Sequence, residues 1–373
     1  MAAAPGTPRI RRTTRDPEEL ARRLAAWLAT VRPGARPAAV TVPDSNGMSS
    51  ETLLFDIEDT GQGTPSAPLP VRRCVLRLAA DPNAYTVFPS YDMTRQFRVM
   101  RLVAAHTDLP VPAVHWLETD PAHLGAEFFV MERVEGRVPP DAMPYTYAGN
   151  WLHSATDAER ARLEHASISV LARLHDQVPV PEAGFLAGKG SGSPLRQHVE
   201  DLRAYYGWVV EGRPRSPVIE AAFTRLEELW PAEEGETVLS WGDARIGNII
   251  YDGFEPAAVL DWEMAALGPR ELDLAWAIYL HRFFHDLTVA LGQEGLPDFF
   301  RRTAAEEQYA RLTGYTPRDM DFHTLYACLR HAIVMLRVGY RQIHFGEVPP
   351  PADPDDLVMN RAALKAMTEG HYW

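Results

Sequence analysis

Residues 240–276, SWGDARIGNIIYDGFEPAAVLDWEMAALGPRELDLAW, decide how the rest of the 373-residue chain is read. Asp243 and Asn248 stand there in an Asp-x-x-x-x-Asn spacing, and Asp261 follows the pattern of a β-hairpin. Ile249, Ile250 and Tyr251 form an apolar strand, Asp252-Gly253 a tight-turn signal, and residues 257–260 the returning strand. Asn248 then precedes the first strand and Asp261 follows the second, so both belong to the open end of one ribbon. Paired strands lie about 5 Å apart, close enough for an amide oxygen and a carboxylate to share one hard cation. Asp243, one short loop upstream, is placed to accept a proton from a hydroxyl beside that cation. A base for the acceptor, with an Asn and an Asp to hold magnesium on the phosphates, is the working set of phosphoryl transfer.

The stretch resembles the catalytic core of the aminoglycoside phosphotransferase-like family, relatives of choline kinases and protein kinases. The resemblance implies Asp243 as catalytic base, Asn248 and Asp261 as magnesium ligands, and Asp273 as the carboxylate that steadies the catalytic loop. The family usually has His-Gly-Asp where this chain has Trp241-Gly242-Asp243. Arg245 could add positive charge near the transferring group or form an ion pair within the loop. The variants Asp261-Trp262-Glu263 and Asp273-Leu274-Ala275-Trp276 are similar to kinase domains associated with acyl-CoA dehydrogenases.

Composition sets outer bounds. Hydrophobic residues make up 46% and charged residues 23%, as in ordinary globular proteins. A formal net charge of -13 argues against general nucleic-acid binding, because phosphates are repelled, and would suit a cationic acceptor. No segment has the apolar length of a membrane span, and the basic N-terminus lacks an apolar core after it, so a cytoplasmic protein is expected. Cys74 and Cys328 are the two cysteines, each in an apolar pattern that suits a reduced buried thiol. Oligomeric state is not set by any of these features.

Upstream of the core, Asp16-Pro17-Glu18-Glu19 opens a helix with an Asp cap and Glu19 at the capping-box position, burying Leu20, Leu24, Trp27, Leu28 and Val31. Strands follow at residues 52–57 and 71–78, preceded by a small-residue turn. There Gly47, Ser49 and Ser50 could direct N–H groups and hydroxyls at phosphates, or simply close a hairpin. Arg77 stands on the second strand where kinase-like folds hold a phosphate-gripping Lys; the two lysines of this chain are Lys189 and Lys365. By the resemblance Arg77 takes that role, its guanidinium reaching two phosphate oxygens in one plane. A helix over residues 90–105 shows a stripe of Met93, Phe97, Met100 and Ala104 and offers Gln96 where the kinase pattern has Glu. Strands are expected at residues 110–117 and 127–134, the latter resembling the hinge that binds adenine. Met131 takes the gatekeeper place there, and main-chain groups of Glu132 and Val134 hold the base edge.

Beyond residue 136 the pattern is helical. Thr156 and Glu159 form a capping box ahead of Leu163, Val170, Leu171 and Leu174, with His175 read as a C-terminal cap. Pro269 opens a helix with Leu272, Trp276 and Leu280 in register, and residues 325–336 read as core. Residues 182–191 fail the P-loop pattern, because Ala183 and Gly190 replace its first glycine and its hydroxyl.

The fold class implied is α+β, a bilobal protein-kinase-like fold. Its small strand-rich N-lobe covers residues 1–135 and its larger helical C-lobe covers 136–373. The implied activity transfers the γ-phosphoryl group of ATP, with Mg2+, to a hydroxyl of a small-molecule acceptor. Aminoglycosides and hydroxyacyl thioesters are the candidate acceptors. Arg77 and Gln96 keep open an alternative, a nucleotide-binding regulatory pseudokinase module with little turnover.

Overall fold

The structure, a computed structural model, describes residues 15–43, 50–59, 72–81, 84–141, 143–188, 190 and 192–373. In chain order it contains α1 (Pro17–Val31), β1 (Ala35–Thr41), β2 (Ser50–Asp59), β3 (Arg73–Ala79), α2 (Met93–His106), β4 (Val114–Glu118), α3 (Pro121–Leu124) and β5 (Phe128–Glu132). There follow α4 (Asp157–Gln177), α5 (Pro194–Val209), α6 (Pro217–Glu228), β6 (Thr237–Ser240), β7 (Ile249–Asp252), β8 (Glu255–Val259) and β9 (Ala266–Pro269). The last helices are α7 (Glu271–Ala290), α8 (Arg302–Thr313), α9 (Met320–His344) and α10 (Arg361–Thr368). This is an α+β kinase-like fold. The chain forms two compact units, Met1–Thr94 with His115–Arg133 and Arg337–Pro351, and Arg95–Val114 with Val134–Leu336 and Ala352–Trp373. Among the described residues no helix is long and apolar enough to cross a membrane.

The first unit is built on a five-stranded sheet of order β1-β2-β3-β5-β4, in which β1-β2, β2-β3 and β3-β5 pair antiparallel. Alternation buries Leu53, Phe55 and Ile57 of β2 and Cys74, Leu76 and Leu78 of β3 on one face, where Leu20, Leu24, Trp27 and Leu28 of α1 cover them. Trp27 meets Phe128 edge to face at 4.8 Å, and its indole N–H reaches Glu118 at 3.1 Å. Asp16 caps α1 through the Glu18 N–H, but Glu19 pairs with Arg22, so the expected capping box does not form. Val31, expected in the buried stripe, is exposed because α1 ends there and turns its last residue outward.

Two further expectations need correction. Along α2 the buried positions are Met93, Gln96, Val99, Met100 and Val103, while Phe97 is half-buried and Ala104 exposed. The packed face is thus turned by about one residue, and it carries the amide of Gln96. Pro269 closes β9 instead of opening a helix; α7 starts at Glu271.

In the second unit the Thr156–Glu159 capping box starts α4 as expected. Strands β6 and β9 pair, and β7 and β8 form the hairpin. Its turn residues are Gly253-Phe254, one position later than the sequence signal, with Asp252 opposite Glu255. Gly253 at φ +60° followed by a residue of negative φ is the type II′ pattern, so the glycine occupies the first central position. The backbone of Arg137 exchanges both hydrogen bonds with Tyr251, and the Tyr251 hydroxyl meets Ser167 of α4 at 2.7 Å. A side chain at Gly136 would stand 2.6 Å from the Tyr251 carbonyl, so glycine is what lets this segment lie on the hairpin.

The core of this unit also holds neutral histidines. Burial holds His198 down to about 4 and His281, His323 and His331 down to about 3. These rings stay neutral in the folded chain below the ordinary value of about 6.5, where the unfolded chain takes up protons. Stability should therefore fall as pH drops below about 6.5, by up to about 1.4 kcal/mol per pH unit for each ring, until the folded values are reached. Urea unfolding at pH 7, 6 and 5 should show this fall, and His323→Gln should flatten it by about one ring's share. An unchanged slope would mean that His323 already takes its proton in the folded chain.

Candidate active site

The stretch that bears Asp243 is held from beneath by one buried carboxylate. Asp273, in the first turn of α7, accepts hydrogen bonds from Ser240 Oγ (2.8 Å), the Trp241 N–H (2.7 Å) and the Gly242 N–H (2.8 Å). His175 Nε2 donates to the same group at 3.1 Å, and its Nδ1 meets the Tyr309 hydroxyl at 2.7 Å. His175 therefore orients Asp273 and does not merely cap α4. Burial would push the Asp273 carboxyl up, but His175, the Gly242 N–H and Ser240 hold it below the usual carboxylate range.

Gly242 has φ +88°, and a Cβ there would lie 2.2 Å from the Met264 carbonyl oxygen. Only glycine allows the loop to turn at this point. Beside it, Trp241 is buried against Trp262 with ring centroids 5.7 Å apart. Its indole N–H donates to the carbonyls of Leu260 (2.9 Å) and Asp261 (3.2 Å), tying the loop to the far side of the hairpin.

Asp243 is anchored on both oxygens. Oδ1 accepts from the Trp276 indole at 2.7 Å; Oδ2 accepts from Arg245 Nε at 3.0 Å and Asn248 Nδ2 at 2.7 Å. Burial raises this carboxyl, but the charges of Arg245 and Arg330 and the bonds from Arg245 and Asn248 outweigh it and hold it low. It is an anion at neutral pH. Arg245 also pairs with Asp141, and this close approach needs Gly247, where a Cβ would meet both side chains.

Asn248 spends amide protons on the Asp243 carbonyl oxygen (3.0 Å) and Oδ2, which leaves its Oδ1 as an acceptor turned the other way. The Leu260 N–H bonds the Asn248 carbonyl at 2.9 Å, closing the open end of the ribbon. The next residue, Asp261, therefore emerges beside Asn248. It does so with φ +60°, a left-handed conformation that Asp tolerates better than bulkier residues.

The remaining candidates are placed as follows. Gly47 and Ser49 lie outside the described residues; Ser50 is already in β2, opposite Ala79, with its side chain buried. Arg77 is paired with Phe129 across β3 and β5, and its Nη1 lies 3.5 Å from Thr52 Oγ1. Gln96 is buried in α2, and its Nε2 donates to no acceptor among the described residues. Met131 is buried at the end of β5 opposite Val75, Glu132 follows opposite Cys74, and Val134 lies just past the strand.

Four residues were given no role at the loop from sequence: Asp141, His175, Trp276 and Arg330. Arg330 of α9 donates to the Gly242 carbonyl and lies 3.9 Å above the Trp276 ring. Trp276 carried a usable signal, since it stands three residues after Asp273 and so on the same face of α7. The others carried none.

A kinase-like phosphotransferase is the class that this fold and loop define. The phosphotransferase enzyme family model matches residues 41–315, and the chain belongs to that family. It is 31% identical over 310 residues to acyl-CoA dehydrogenase family member 11 of Gallus gallus, covering 80% of this chain and 35% of that protein. The chain spans about a third of the length of the curated relatives it matches, 30% and 35% for the first two. Among solved structures, a putative aminoglycoside phosphotransferase from Ralstonia eutropha JMP134 superposes with a TM-score of 0.64 at 23% identity, covering 93% of this chain and 96% of that one. A thermostable mutant of aminoglycoside phosphotransferase APH(4)-Ia, in complex with AMP-PNP and hygromycin B, superposes at 0.54 and 17%, covering 92% and 97%.

The Asp273 cluster gives a direct test. Asp273→Asn should lower stability by about 3 kcal/mol, because a neutral amide leaves buried loop N–H groups short of an acceptor. In hydrogen exchange the Trp241 and Gly242 amides should lose protection in that variant while β2 and β3 keep theirs. Retained protection at both amides would show that the loop is held elsewhere.

Proposed function

We propose that the chain transfers the γ-phosphoryl group of ATP, with Mg2+, to a hydroxyl of a small molecule. The observation that carries this is the convergence of Asp243, Asn248 and Asp261 on one end of the β7–β8 hairpin, joined by the Leu260–Asn248 bond. Asp243, held as an anion in a water-poor setting, accepts the proton of the acceptor hydroxyl as its oxygen bonds to phosphorus and the bond to the β-phosphate oxygen breaks. Arg245 sets a positive charge beside that reaction and is kept in place by Asp141.

Asn248 and Asp261 suit magnesium, since an amide oxygen and a carboxylate are hard donors and two protein ligands leave room for phosphates and water. Bound there, magnesium would neutralise phosphate charge during transfer. Nucleotide use is supported by the AMP-PNP complex of the APH(4)-Ia neighbour. Arg77 is the candidate grip on the phosphates, and Met131, Glu132 and Val134 the candidate adenine edge.

For the acceptor we favour a hydroxyacyl thioester over an aminoglycoside, because the curated relative of higher identity is named for acyl-CoA chemistry. The unpaired, buried Cys74 and Cys328 suit a reducing cytoplasm. A regulatory module without turnover is favoured by Arg77 in place of a lysine and by Gln96 in place of an acidic residue.

The purified protein should release ADP in a magnesium-dependent way that a hydroxyacyl thioester stimulates. Asp243→Ala should cut that rate by about 10²–10⁴-fold while ATP binding persists. Asn248→Ala should raise the magnesium requirement. Stimulated turnover that survives Asp243→Ala would refute this assignment, and bound ATP without turnover under any acceptor would favour the regulatory module.

A further inference from the structure

The first two turns of α7 present two opposite kinds of group to the catalytic loop. Asp273 accepts from the loop backbone, and Trp276, three residues on and on the same helix face, donates to the Asp243 side chain at 2.7 Å. A carboxylate has about four lone-pair sites. Protein donors take three on Asp243: Arg245 and Asn248 fill Oδ2, and the indole takes one of the two on Oδ1. One direction, on Oδ1, remains for a hydroxyl.

We propose that Trp276 is a positioning residue for phosphoryl transfer, its indole N–H fixing which lone pair of Asp243 faces the acceptor hydroxyl. This rests on the phosphotransfer function proposed above. An indole suits the task chemically: it donates and cannot accept, so it never competes with Asp243 for the acceptor's proton, and it stays neutral at every working pH. A histidine in its place could take that proton itself.

The ring is also immobilised. It is only 6% exposed, the Arg330 guanidinium lies 3.9 Å over one face, and His331 packs edge-on with centroids 6.3 Å apart. Arg330 simultaneously donates to the Gly242 carbonyl, so α9 grips both the loop backbone and the residue that aims its carboxylate.

Trp276→Phe keeps an aromatic ring beneath Arg330 while it deletes the N–H and shortens the ring system. It should lower kcat by about tenfold or more with KM for ATP changed less than about twofold. The smaller ring should lower the melting temperature by only about a few degrees. On an Asp243→Ala background the same change should cost no further residual rate, because its partner is gone. An unchanged kcat in folded Trp276→Phe, or costs that multiply across the two substitutions, would overturn the proposal.

A readout independent of turnover separates the possible failures. The indole 15N–1H resonance that vanishes in Trp276→Phe should shift in Asp243→Ala. A resonance indifferent to Asp243→Ala refutes the contact. A shift without any ADP release by the wild type refutes the phosphotransfer function, and the catalytic use of the bond with it.

Discussion

Everything at the Asp243 loop depends on one buried anion. Asp273 is 1% exposed, and a carboxylate so placed is tolerable only because three loop donors and His175 surround it. Its place in the first turn of α7 adds the favourable field of the helix N-terminus. The dependence runs both ways: the anion needs the donors, and the loop backbone, whose N–H groups would otherwise be buried without acceptors, needs the anion. The chain of contacts continues through His175 to Tyr309 of α8, and Arg270 meets that hydroxyl and Asp176. Helices α4, α7 and α8 thus share one polar network under the loop.

The tryptophan at position 241 fits into this frame by its single donor. Its N–H spans the carbonyls of Leu260 and Asp261, so the loop that bears Asp243 is stitched to the strand end that bears Asp261. The large ring is accommodated because Trp262 lies beside it. Gly242 makes the turn possible, and the left-handed backbone at Asp261 is the local strain that accompanies the arrangement. Asp243 and Asn248, joined through Nδ2, cannot be reoriented independently.

Charge is distributed with the same economy. Arg245 and Arg330 keep Asp243 ionised from two sides, and Asp141 balances Arg245. His331 is held down by burial and by these same arginines, which makes its ring a poor base beside Asp243. Such a setting favours one proton acceptor beside the hairpin.

Much of this was legible in the chain itself. The Thr156–Glu159 box, the apolar run of β7, the glycine of the turn and the Asp-x-x-x-x-Asn spacing are local signals, and each led to the element observed because capping, strand formation and tight turns are decided within a few residues. The face of α2 that packs and the turn position of the hairpin slipped by one residue, since periodicity leaves the phase loose when apolar residues flank the true stripe. The aim of Asp243 was another matter. Its indole donor lies 33 residues away, the arginine over that indole donates to a carbonyl 88 residues away, and Asp141 is 104 residues from Arg245. The sequence by itself determined the helices, the ribbon and the identity of the three polar residues at its open end. Only the tertiary structure decided which lone pairs of Asp243 are taken, because a hydrogen bond depends on ångström-scale approach between segments whose separation no local pattern encodes.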